Sequence, residues 1–132
     1  MRTNIKIEFN ICGDYIDVDN VTEMMAIKPI ISYLKGDPIK GKPLVRKDTL
    51  WAIETEYEEA DDIDDVLPKV LKQIIGKTDV IKKIKELYDV NISFIFVINI
   101  EDGESPAMYL NIDLIKFAAE IDARIGFDVY VY

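Results

Sequence analysis

Asp17 and Asp19 flank Val18, a spacing that puts two carboxylates on one side of an extended segment, where they could hold a divalent cation. A turn followed by a helix cap uses the same residues without a metal. Asp61, Asp62, Asp64 and Asp65 are spaced closely enough to suggest calcium, yet the glycine and distal glutamate of an EF-hand loop are both missing. No metal site is assigned. The chain has no histidine. That removes the commonest general base near neutral pH, the commonest metal ligand and every histidine-activated nucleophile. Cys12 is the only cysteine; with no base beside it to lower its pKa, it reads as an inert thiol. No glycine-rich phosphate-binding motif is present. The sequence predicts no catalytic residue and no cofactor, and leans away from an enzyme.

Binding chemistry is more visible. Six basic residues and one acid lie between Lys28 and Lys47, whereas Glu54 to Asp65 holds eight acids and no base. The loop from Lys35 to Asp48 is broken by Gly36, Pro38, Gly41 and Pro43. Its bases (Lys35, Lys40, Lys42, Arg46, Lys47) could form an anion-binding patch, with Gly36 letting the backbone approach a ligand closely. In that reading Arg46 clamps the anion with Lys47 beside it in the patch, Asp37 orders the loop or works as acid-base, and Trp51 walls the site. The plainer reading folds these bases over the neighbouring acids as solvated pairs, worth about 0–1 kcal/mol each. It also places Trp51 in the core, in phase with Ile53. The acids Glu58, Glu59, Asp61, Asp62, Asp64 and Asp65 are a candidate partner face, although a helix start explains most of them through its dipole.

The elements that must position these groups follow from periodicity. Ile5, Ile7, Phe9 and Ile11 alternate with polar residues as a half-buried strand. Asp19 or Asn20 caps a short helix that Pro29 stops. Ile30 to Leu34 and Thr49 to Glu56 read as strands. Ile63 to Ile75 reads as a helix kinked or started by Pro68. A second helix is capped by Thr78, and Asn91 to Ile100 is a central strand apolar on both faces. A turn at Glu101 to Glu104 and a short strand Met108 to Leu110 follow. A last helix, closed by Gly126 at C′, leads to a terminal strand from Phe127. From Thr49 onward this order is β-α-β-β-α-β, the ferredoxin-like plan. The prediction is one α+β domain over residues 1–132: a mainly antiparallel sheet of five or six strands with helices on one face.

At 132 residues and 49% hydrophobic content, such a domain needs neither disulfide nor metal to hold its core. A net charge of −9 disfavours nucleic acid and anionic membranes and leaves a basic protein partner open. The first residues lack a signal-peptide pattern, and no apolar run approaches the roughly 20 residues of a membrane span. The chain reads as cytoplasmic. Edge pairing of its strands, and with it the oligomeric state, stays open.

Phe9-Asn10-Ile11-Cys12-Gly13-Asp14 and the segment from Val21 to Pro29 are similar to the opening of a widespread bacterial family catalogued as domain of unknown function number 4279. Lys35-Gly36-Asp37, then Arg46-Lys47 and Trp51-Ala52-Ile53-Glu54-Thr55, resemble its second signature, and the terminal Gly-Phe-Asp-Val-Tyr-Val strand fits as well. The resemblance implies a small standalone bacterial protein but brings no activity with it. The leading expectation is a non-enzymatic binding or interaction module, immunity-like in class. The alternatives are a binder of, or cryptic enzyme acting on, a small anionic ligand at the Lys35–Trp51 loop, and a structural domain with no single partner.

Overall fold

Ile5, Ile7, Phe9 and Ile11 are fully buried along one face of strand β1 (Asn4–Gly13). The computed structural model describes residues 2–132. Five further strands join β1 in one sheet: β2 (Ile31–Tyr33), β3 (Thr49–Glu54), β4 (Glu58–Glu59), β5 (Asn91–Ile100) and β6 (Arg124–Val131). The order is β2-β3-β1-β5-β6, with β4 pairing the start of β1. All ladders are antiparallel except β5–β6, which is parallel.

Helices α1 (Val18–Met25), α2 (Pro68–Ile74), α3 (Thr78–Leu87) and α4 (Ile112–Glu120) cover one face of the sheet. Their buried residues, among them Val21, Leu71, Ile81, Ile84 and Phe117, join the inward side chains of β1, β3 and β5 in a single core. Phe94 is its centre, with ring centroids 5.1 Å from Phe9 and 6.2 Å from Phe117. The α+β architecture and the helices on one face are those the periodicity predicts.

The ferredoxin-like order is not what the chain adopts. β1 lies between β3 and β5, and Met108 to Leu110 form no strand. Only Ala107 bridges, to Asp62. The 63–75 segment splits into a 3-10 turn (Ile63–Asp65) and α2, with Pro68 in the first helical turn, where its missing N–H costs nothing. Asp17, rather than Asp19 or Asn20, caps α1 by accepting from the Asn20 N–H. The left-handed Ala26 ends that helix before Pro29 is reached. α3 receives no side-chain cap from Thr78, its first residue. Asp122, at φ 52°, turns the chain after α4, and Gly126 lies within β6 against Ile95.

The other face of the sheet carries a polar cluster. Glu8 and Glu54 are directly opposite one another across β1–β3, and Lys6 Nζ bridges them at 3.1 and 3.5 Å. Burial pulls the Lys6 ammonium down, but its hydrogen bond to Glu8 and the charges of Glu8 and Glu54 outweigh that, so its pKa is raised. Lys6→Ala should leave two carboxylates face to face and lower stability by about 1–2 kcal/mol. Adding Glu54→Gln should restore part of the loss in urea titrations. Because the folded pKa is the higher one, this contribution is fully present below the ordinary value of 10.5. It disappears as pH rises through the folded pKa.

Candidate functional site

Three loops meet at one end of the sheet: Asp14–Asp17 after β1, Leu34–Asp37 after β2, and Tyr88–Val90 before β5. Thr49 pins two of them. Its hydroxyl donates to the Asp14 carbonyl and accepts from the Lys35 amide. The third is held by contact, since Gly13 lies so close to the Asp89 carbonyl that a Cβ there would come within 2.4 Å of its oxygen. Between the loops runs a cleft of about 640 Å³ lined by Asp14, Tyr15, Ile16, Asp17, Lys35 and Tyr88. It continues past Asp19 and Asp37 on one side and past Asp89 on the other.

The cleft is acidic and aromatic. Tyr15 is 81% exposed, and Tyr88 is fixed by the Asn20 amide donating to its phenol oxygen at 2.8 Å. Lys35 supplies the positive charge in it. Its Nζ lies 3.5 Å from the Asp14 carboxylate and 5.3 Å from the centre of the Tyr15 ring. A carboxylate beside an aromatic face is a receptor for ammonium or guanidinium groups.

Of the residues singled out for an anion site, Lys35 and Asp37 border this cleft and the others do not. Residues 34–46 form a hairpin arm, with Gly36 N–H donating to Arg46 C=O, Arg46 N–H to Asp37 C=O, and Ile39 N–H to Leu44 C=O. Gly36 and Gly41 take φ of 92° and 76°, which lets the arm turn tightly. Asp37 accepts from the Leu34 N–H and borders the acidic cleft. Arg46 stacks over Tyr33 at 4.1 Å, and Lys47 is exposed. Burial pushes the Tyr33 phenol up, Asp48 adds to the shift, and Arg46 opposes it. Trp51 is fully buried, its indole N–H donating to the Thr22 hydroxyl at 2.9 Å.

The acidic stretch has internal counter-charges. Arg2 pairs with Asp61 at 3.0 Å and with Glu59 at 3.7 Å, and Lys69 pairs with Glu58. Asp62 caps the 3-10 turn through the Asp64 N–H, and Asp64 accepts from Asn111. Asp65 is exposed. Asp17, the candidate cation ligand, caps α1 with one carboxylate oxygen and lines the cleft. Burial pushes the Cys12 thiol up, Asp48 reinforces this and Arg124 opposes it. Such a thiol is a poor nucleophile near neutral pH.

Sequence reasoning missed Tyr15, Tyr88 and Asp89. The signal for Tyr15 was present, an aromatic residue directly after the Gly13-Asp14 turn. Nothing local marks the other two, which reach the site only through the path of α3 into β5.

No helix among the described residues is long and apolar enough to cross a membrane. No curated protein and no solved structure gives a significant match. A family model described as domain of unknown function DUF4279 matches residues 3–132. That span takes in both signature stretches and every loop of the cleft, and the chain belongs to the DUF4279 family.

Proposed function

We propose that the chain is a non-enzymatic binding module that takes a cationic segment of a basic protein partner into the acidic cleft. The observation that carries this reading is Lys35. Its ammonium already lies between a carboxylate and an aromatic ring, so the cleft has the chemistry a partner's lysine or arginine needs. Asp17, Asp19, Asp37 and Asp89 extend the negative lining beyond the reach of that single lysine. A net charge of −9 would speed encounter with a basic partner and make association salt-sensitive. Blocking a basic enzyme in an immunity-like manner is one form this binding would take. The absence of histidine and the raised Cys12 pKa support binding over catalysis.

Capped tri-lysine and tri-arginine peptides are suitable probes by calorimetry at low salt. Asp14→Asn/Asp17→Asn/Asp89→Asn should weaken binding at least tenfold, equivalent to about 1.4 kcal/mol. Neutralising Glu59, Asp61 and Asp65 should change it by no more than about twofold, as expected for exposed and already paired charges. The opposite ranking would move the partner face to the acidic stretch, and no binding of either peptide would overturn the reading.

A further inference from the structure

The two edges of the sheet are built differently. β2 is three residues long and runs directly into the hairpin arm, so it offers little to pair with. β6 is eight residues long, Arg124–Val131, and contains no lysine and no proline. Those are common devices by which an edge strand is kept from pairing. Among the described residues, no strand pairs with its outer side.

The phase of that outer side follows from one hydrogen bond. Tyr132 N–H donates to Ile100 C=O of β5, so the backbone groups of the even-numbered residues of β6 face inward. By alternation, those of Ile125, Phe127, Val129 and Val131 face outward. The side chains of these four lie on the helix-covered side of the sheet, beside Phe94, Phe96, Ile98 and Ile100. Phe127 stacks on Phe96 at 5.1 Å yet remains 40% exposed, and Val131 is 73% exposed.

α4 carries exposed apolar residues as well. Asp113, Lys116 and Glu120 line its side toward the turn between α2 and α3, and Lys85 of α3 donates to the Ile121 carbonyl. α3 therefore flanks α4 on the β1 side. Ile112 and Ile115 are both exposed; Ile112 lies one turn before Lys116, and Ile115 lies on the other flank of the helix.

We propose that this edge is the interface for a second copy of the chain, through antiparallel β6–β6 pairing that makes one continuous sheet. Charge selects the register. Arg124 and Asp128 are the only charged residues of β6, and both project to the face opposite the helices, in line with Ser93 and Val97 of β5. Placing Arg124 opposite Asp128 of the partner brings Gly126 onto the two-fold axis. The same two-fold then makes the Arg124–Asp128 pair twice, as an isologous interface requires. It sets Ile125 against Phe127 in both directions, with outward backbone groups facing each other. Shifting the register by two residues in either direction loses both ion pairs, and a shift of four sets Asp128 or Arg124 against itself. Both helical layers lie on the same side of the joined sheet.

Sedimentation equilibrium of the full chain over a concentration series tests this. The expected mass is twice 15.2 kDa. Asp128→Arg, which sets like charges opposite each other, should shift the chain to monomer, and Arg124→Asp/Asp128→Arg should restore the dimer. Val129→Pro removes an outward N–H that its own sheet does not use and should also give monomer. Circular dichroism melts of each variant serve as the folding control. Should Asp128→Arg unfold, Arg124→Asp tests the same contact from the other side. A wild-type monomer at every concentration overturns the proposal, including the case in which another protein's strand occupies the edge. A dimer insensitive to both the charge changes and the proline overturns the placement.

Discussion

Truncating Trp51 to alanine should lower the unfolding free energy by about 3–5 kcal/mol, the usual cost of emptying a large aromatic site in a packed core. The side chain is fully buried at the junction of β3 and α1, and its indole N–H satisfies the Thr22 hydroxyl. The alanine variant therefore creates a void and strands a polar group. Trp51→Phe keeps most of the volume and loses only the hydrogen bond, so it should cost about 1–2 kcal/mol. Chemical denaturation of the two variants gives the comparison. A truncation that left stability intact while abolishing ligand binding would return Trp51 to the role of a site wall.

Gly13→Ala should cost about 1–3 kcal/mol by overpacking, although it adds one methyl group. The new Cβ would lie 2.4 Å from the Asp89 carbonyl oxygen, and neither atom belongs to a flexible side chain. Relief requires the end of β1 to part from the turn between α3 and β5, which also opens the cleft. Tri-lysine binding should therefore weaken with stability in this variant. Gly76→Ala is the control, because a Cβ there meets nothing within 4 Å. Its effect should be near neutral, or stabilising by up to about 1 kcal/mol. Equal melting temperatures for the two variants would show that Gly13 is not tightly enclosed.

What could be read from the sequence was what local pattern encodes. The alternation of Ile5 to Ile11 and the apolar run of Asn91 to Ile100 gave β1 and β5, because the strand period of two forces one face inward. The stripe of Ile81 and Ile84 gave α3 in the same way. The two acids of β4 show no strand propensity, and they pair only because β1 offers them its first residues, Asn4 and Ile5. Met108 to Leu110 has strand-like residues and no strand to join. The charge of the 58–65 stretch was plain, but its counter-ion Arg2 lies some 57 to 59 positions earlier. The cleft was hardest to see, since Asp14, Lys35 and Asp89 become neighbours only when β2, β3, β1 and β5 assemble in that order. Side-chain chemistry was legible residue by residue, and proximity was not.

The position of β1 in the sheet also bears on how the protein is made. β1, made before the other strands of this sheet, sits between β3 and β5, and Ile5 must wait for Ile98 before its ladder to β5 can close. Closing so long a loop is entropically costly, and sheets dominated by distant pairings fold slowly. During that wait Ile5, Ile7, Phe9 and Ile11 have no complete core to enter. The antiparallel partner made first is β3, whose Trp51 and Ile53 stand opposite Ile11 and Phe9. Pairing of β1 with β3 would shelter the nascent chain until β5 arrives, and β6 can add only afterwards, at the edge that β5 provides.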